Sequence, residues 1–344
     1  MTPREQTQLV GHEAIEAELL KAWKQGRMPH SLLLTGPKGI GRATLAFRLA
    51  KFLLSEPALD ATSFQTDPAH PIVRRVISGG HGDLQVVEPD PEKATKEITV
   101  DQVRQIKHFL SQTPMEGGWR IVIVDGEMNK SAANAVLKAL EEPPRQSLLI
   151  IMSESVGRVL PTIRSRCHIA KLKLLTPEQV EQVVMREAPQ ISKEDMKALT
   201  ILSEGRPGLA LQYHEFGAAS TYRDLLKILS RLASFDYGEA LSFSQKYSGK
   251  AKSEEIDMDP FLVVGDCLKR FIQKLTRYGT LQDVSSTLPE EIPIFQQALT
   301  VRPALEWART WETVNANFRQ AHRSHLDKAQ VMFCCLCDVA GVKA

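Results

Sequence analysis

The chain has 344 residues, 43% of them hydrophobic and 24% charged, which is ordinary globular composition and enough length for two or three domains. Its 43 basic and 41 acidic side chains leave a formal charge of +2, so no global field draws it onto nucleic acid or an anionic membrane. A free-standing DNA-binding protein is therefore the least expected class, and five cysteines with three crowded at Cys334, Cys335 and Cys337 make no disulfide framework and suit a reducing cytosol.

The opening stretch from Met1 to Leu20 lacks the uninterrupted apolar core of a signal peptide, and no run of about 18 apolar residues occurs anywhere, so a cytoplasmic location is expected. From Ser31 to Thr35 the run SLLLT is short, apolar and closed by Gly36, the pattern of a buried parallel strand before a tight turn. After the turn, Leu45, Leu49, Phe52 and Leu53 recur at spacings of three and four and predict a helix with one apolar stripe. The segment from Pro68 to Asp83 is turn-rich at both ends and helix-like in the middle, an insertion rather than a sheet element. Two further apolar runs, Ile121 to Val124 and Leu148 to Met152, predict strands. Between them KSAANAVLKALEE predicts a helix that Pro143 and Pro144 stop. Strands alternating with helices imply a parallel α/β sheet covered on both faces.

Thr176 and Pro177 look like an N-cap and a first helical position, and helical patterns then dominate to the C-terminus, with a polar loop expected from Tyr247 to Asp259. The expected organisation is an α/β P-loop domain over 1–172, a small helical domain over 173–213 and an all-α domain over 214–344. The crowded C-terminal cysteines sit in an apolar helix and are expected as small buried side chains rather than metal ligands. Arg302, Arg309, Arg319, Arg323 and Lys328, mixed with Glu306, Glu312 and Asp327, are expected as a solvated helix face.

The chemistry concentrates at Gly36-Pro37-Lys38-Gly39-Ile40-Gly41-Arg42-Ala43. A working P-loop reads G-x-x-x-x-G-K-[ST]: backbone amides wrap the phosphates, the lysine reaches the outer phosphates and the hydroxyl holds magnesium. Gly36, Gly39 and Gly41 keep the loop, but Arg42 stands for the lysine and Ala43 for the hydroxyl, while Thr44 lies one residue too late. An arginine keeps the charge without the compact ammonium, so nucleotide binding can survive through the amides while magnesium positioning is lost. The strand from Ile121 to Val124 ends at Asp125, in the place of the acid that contacts magnesium.

The run Ala133 to Pro144, ANAVLKALEEPP, followed by a strand and then Ile163-Arg164-Ser165-Arg166-Cys167, resembles the clamp-loader branch of the AAA+ proteins. In active members a glutamate directly follows the strand-end aspartate; here Gly126 fills that slot and Glu127 comes one residue later. The defects resemble the delta-prime group of bacterial DNA polymerase III clamp loaders rather than the ATP-hydrolysing gamma or tau subunits. The resemblance is weaker over the C-terminal third.

By resemblance, Arg166 serves as an arginine finger reaching into a neighbouring subunit's ATP site, and Ser153 and Arg206 stand at the two sensor positions. Arg206, beside Pro207 and Gly208, is expected as a solvated loop charge. The resemblance further implies a structural and regulatory subunit with gamma/tau and delta partners in a hetero-pentamer, a C-terminal collar joining subunits, and indirect contact with the sliding clamp and primed DNA. No cofactor requirement is expected. Many relatives carry a four-cysteine zinc module where this chain has His70, Arg74, Arg75 and His81; two histidines with Asp67 or Asp83 lack the usual ligand spacing, so no metal is expected there. The competing reading is an autonomous AAA+ ATPase or a gamma/tau-like motor subunit.

Overall fold

The computed structural model describes residues 2–90, 97–116, 118–249, 259–324 and 326–342. The chain divides into two compact units: Met1–Gln179 with Arg206–Gly208, and Val180–Gly205 with Leu209–Ala344.

The first unit runs α1 (Glu13–Lys24), β1 (Ser31–Thr35), α2 (Arg42–Leu54), α3 (Pro71–Ser78), β2 (Leu84–Val87), α4 (Val100–Ser111), β3 (Arg120–Asp125), α5 (Lys130–Glu141), β4 (Ser147–Ser153), α6 (Pro161–Arg164) and β5 (His168–Lys171). The strands form one sheet in the order β2-β3-β4-β1-β5, and every pairing is parallel. β1 and β4 are buried at every residue, and β3 at all but its last, as continuous apolar runs require in a sheet covered on both faces. The edge strands β2 and β5 have four residues each and are only partly buried. Neither had an apolar run to announce it.

The predicted stripe on α2 is present, but the opposite face is covered as well. Arg48 pairs with Glu16 at 2.8 Å and donates to the Thr7 carbonyl, while the Lys51 ammonium donates to the carbonyls of Arg4 and Gln6 at 3.1 and 2.8 Å. Burial pushes Lys51 down to about 8. Two residues that look solvent-facing in sequence thus tie the N-terminal segment onto the helix.

The insertion keeps the expected helix, α3, which buries Val73 and Val76. Its Arg75 makes a bidentate pair with Glu116 at 2.5 and 2.6 Å. Nearby, buried Asp83 accepts the Met115 amide at 2.9 Å and lies 3.4 Å from buried Arg120. A charge network therefore fastens this region, and among the described residues no group of three potential metal ligands converges anywhere.

Helices α7 (Pro177–Glu187), α8 (Lys193–Ser203), α9 (Pro207–Phe216), α10 (Ala218–Leu229), α11 (Tyr237–Tyr247), α12 (Pro260–Leu281), α13 (Glu291–Val301), α14 (Ala304–Ser324) and α15 (Lys328–Ala340) complete the chain. The expected cap at α7 is a capping box: the Thr176 hydroxyl accepts the Gln179 amide at 3.3 Å, and the Gln179 side chain accepts the Thr176 amide at 3.0 Å. In the second unit the core holds Tyr222, Phe261, Phe271, Phe295 and Trp307, with Phe261 stacked on Phe318 at 4.5 Å. Cys335 and Cys337 are fully buried in α15, and burial pushes the Cys335 thiol up to about 12.

One buried polar cluster crosses this core. Glu291, with no exposed surface, accepts from Lys274 at 2.5 Å, from the Leu288 amide at 2.6 Å and from the Tyr222 hydroxyl. Arg302 departs from the expected solvated face: it caps the end of α15 by donating to the carbonyls of Asp338 and Val339 at 2.9 and 3.0 Å. The loop expected from Tyr247 to Asp259 lies outside the described residues over 250–258, between the end of α11 and Asp259, which caps α12. Among the described residues no helix is long and apolar enough to cross a membrane.

Candidate functional site

The phosphate loop leaves the C-terminal edge of β1, a central strand, and turns into α2 at Gly41, whose φ of 108° suits a residue without a side chain. Its carbonyls are held from behind. Buried His12 donates from Nε2 to the Ile40 carbonyl at 3.0 Å. Gly208 donates its amide to the Gly39 carbonyl at 2.8 Å, and a Cβ at 208 would lie 3.0 Å from the Gly39 Cα. Beside the loop, the Gly36 amide donates to the Ser153 carbonyl at 3.2 Å, and the Ser153 hydroxyl donates to the Ser155 carbonyl at 3.1 Å. Ser153 therefore adjoins the loop, but its hydroxyl is engaged with its own turn.

The expected binding residues Gly36, Gly39, Gly41, Arg42 and Asp125 do come together. The half-buried Arg42 is drawn down by desolvation, against which the charges of Asp125 and Glu154 work. Burial raises the Asp125 carboxyl, opposed by Arg42 and Lys38. An arginine and an aspartate thus balance one another where a lysine, a hydroxyl and an aspartate would share a magnesium phosphate. With Ala43 supplying no oxygen, the donor set does not fit a magnesium nucleotide.

Gly126 closes the other half of the question. A Cβ there would lie 2.7 Å from both Cδ and Cγ of Pro89, so no side chain can stand in the slot of the water-activating glutamate unless Pro89 moves. Glu127, one residue on, is engaged by Arg158 at 2.5 Å. We expect Gly126→Glu to cost about 1–3 kcal/mol of stability through that collision and to restore no ATP hydrolysis, measured by thermal melting and phosphate release.

His12 makes the loop sensitive to acid. Burial lowers its pKa from the ordinary 6.5, so the folded ring resists protonation that the unfolded ring accepts. Between the lowered value and 6.5 the unfolded state binds more protons, so this contribution is complete above 6.5 and is lost as pH falls through that window. Buried His81, also lowered mainly by desolvation, acts with the same sign. The melting temperature is expected to drop on acidification below 6.5, and the drop is expected to be shallower in His12→Gln.

Arg166 lies apart from this loop. It lies two residues before β5, and its carbonyl accepts the Ser31 hydroxyl at 2.6 Å, so it sits at the N-terminal end of β1. At about 3.3 Å per residue, the strand separates Arg166 from Gly36 by roughly 16 Å, beyond the reach of one arginine side chain. The guanidinium donates to Glu141 at 2.9 Å, to the Thr162 carbonyl at 3.0 Å and to the Ser165 hydroxyl at 3.4 Å. Its side chain is 37% exposed.

Arg206 differs from expectation: it is half-buried, has a partner and directly precedes α9. Sequence reasoning also missed His12, Pro89 and Glu141. Of these only Glu141 left a local signal, as the last residue of a helix stopped by two prolines.

Residues 11–176 match the family described as DNA polymerase III, delta subunit. The DNA polymerase III subunit delta' of Pseudomonas aeruginosa is 35% identical over 59% of this chain and 61% of its own length. That of Escherichia coli is 30% identical over 56% of this chain and 57% of its own length. The gamma/tau subunit of Mycobacterium bovis is 31% identical over 55% of this chain and 32% of its own. The chain is homologous to DNA polymerase III delta' and related clamp-loader subunits. It spans about three fifths of the length of these two delta' relatives. The clamp-loader homologues include gamma/tau as well as delta' subunits.

Proposed function

We propose that this chain is a structural and regulatory subunit of the DNA polymerase III clamp loader, a non-hydrolysing part of the polymerase holoenzyme. In this reading it assembles with gamma/tau and delta subunits in a hetero-pentamer in the cytoplasm. It supports ATP-dependent loading of the sliding clamp onto primed DNA, and it supplies Arg166 to the ATP site of a neighbour. The helical part divides into a lid over 173–213 and a collar from 214 that joins the subunits.

One observation carries the reading. The half-exposed guanidinium of Arg166 stands at the end of β1 opposite the phosphate loop, too far away to serve its own nucleotide site. A positive charge so placed can act on phosphate only if another chain brings the phosphate to it. The state of this chain's own site supports the same conclusion, since Arg42 and Asp125 lie within electrostatic reach of one another, Ala43 has no hydroxyl and Pro89 leaves no room for a side chain at 126. The competing reading, an autonomous ATPase or gamma/tau-like motor, needs those three defects to be harmless.

The test is reconstitution. The purified chain alone is expected to show no magnesium-dependent ATP hydrolysis above background. Added to gamma/tau and delta, it is expected to co-elute with them and to raise the clamp- and DNA-stimulated rate. Turnover by the isolated chain would transfer the assignment to the motor reading, and failure to co-elute would overturn the subunit reading altogether.

A further inference from the structure

The arginine proposed to act on a neighbour is held by its own chain before any neighbour arrives. Glu141 is the final residue of α5, fixed at the helix end by Pro143 and Pro144 and by a helix that buries Val136, Ala139 and Leu140. At the helix start the Asn129 side chain accepts the Ala132 amide at 2.9 Å. The carboxylate therefore has a well-anchored base. On the other side, Arg166 follows α6, whose Ile163 is buried, and the Arg166 amide donates to the Ile163 carbonyl at 3.1 Å. Between these two anchors one guanidinium nitrogen, Nη2, meets Glu141 at 2.9 Å, and the other, Nη1, meets the Thr162 carbonyl at 3.0 Å.

A free arginine side chain samples many rotamers, and that freedom must be given up when the head group is fixed. Gripping both terminal nitrogens of a planar group fixes its plane as well as its position. Of the five N–H donors in a guanidinium, the three bonds to Glu141, Thr162 and Ser165 leave some for a further acceptor. The partial exposure of the side chain leaves that face open.

We propose that Glu141 is the positioning residue of Arg166: it sets the direction in which the guanidinium is offered to an anionic acceptor on another chain, a role that rests on the trans-acting function proposed above. Glu141 touches no reacting atom and works through Arg166 alone. Its oxygen, more than its charge, matters, because the bond to Nη2 needs an acceptor at that place. A glutamine of the same length supplies one.

The experiment measures clamp- and DNA-stimulated ATP hydrolysis by the assembled loader containing wild type, Glu141→Ala, Glu141→Gln, Arg166→Ala or Glu141→Ala/Arg166→Ala, with co-elution checked for each. Glu141→Ala is expected to lower the rate about tenfold, the scale of re-imposing lost side-chain order, and Glu141→Gln to stay within about twofold of wild type. In the Arg166→Ala background, loss of Glu141 is expected to change nothing further. An undiminished or raised rate in Glu141→Ala alongside a low rate in Arg166→Ala overturns the positioning role and leaves the trans-acting function standing. An additional loss in the double variant also overturns it, since Glu141 would then act other than through Arg166. An unaffected rate in Arg166→Ala overturns the function on which the role rests.

Discussion

Replacing Arg166 by alanine is expected to lower the stimulated ATPase rate of an assembled loader by an order of magnitude or more, with assembly unchanged. The magnitude comes from charge placed where a transferring phosphoryl group develops negative charge; in GTPases an arginine supplied this way is worth about 10³–10⁵ in rate. If a loader contains several ATP sites and one of them loses its finger, the whole-complex rate understates the effect on that site. Arg166→Lys is expected to recover little, because an ammonium lacks the planar fork that grips two oxygens at once. Stability should hardly move: the pair with Glu141 is 37% and 49% exposed, and such pairs contribute about 0–1 kcal/mol. Steady-state phosphate release, read beside size-exclusion profiles, checks both halves. A normal rate from a normally assembled complex would remove the trans-acting role.

Glu291→Ala is expected to destabilise the helical unit by about 3–5 kcal/mol, enough to lower its melting temperature by many degrees. The carboxylate has no exposed surface and joins three elements: Lys274 on α12, Tyr222 on α10 and the Leu288 amide before α13. Burial draws the Lys274 ammonium down, and Glu291 works against that by stabilising its charge. Without Glu291 the ammonium stays buried with its partner gone, and the Tyr222 hydroxyl loses its acceptor as well. Replacing both charges, as Glu291→Gln with Lys274→Met, should cost much less, because no unpaired charge remains. Circular dichroism melts of the wild type, Glu291→Ala and the Glu291→Gln/Lys274→Met double variant separate a charge effect from a packing effect. A small loss in Glu291→Ala would mean that Lys274 reaches water.

The parts of this fold that could be read from the sequence are those whose signal is local. β1, β3 and β4 are unbroken apolar runs, α5 ends where two prolines stand, and the Thr176 cap lies three residues from its partner. The parts that could not be read are fixed by contacts distant in sequence. Arg48 and Lys51 look like a solvent face until Glu16 and the carbonyls of residues 4–7 are brought against them. β2 and β5 are edge strands too short and too mixed to stand out, and they form because a neighbour offers hydrogen bonds. At the site, the loss of the lysine, the hydroxyl and the glutamate was plain from residue identities. That Pro89 bars the glutamate's return, and that Glu141 holds Arg166, depended on residues 37 and 25 positions away.

The parallel sheet gives the first unit a polarity, with a phosphate loop at one end of β1 and an arginine at the other. Subunits that each receive at one end and donate at the other join head to tail, in a contact that closes into a ring or continues as an open series according to its rotation. A member whose receiving end is closed and whose donating end is open can begin or end that series but cannot extend it in both directions. Under the proposed function, the few substitutions around Arg42 and Gly126 would therefore bear on counting as well as chemistry, placing this chain at one end of such a series.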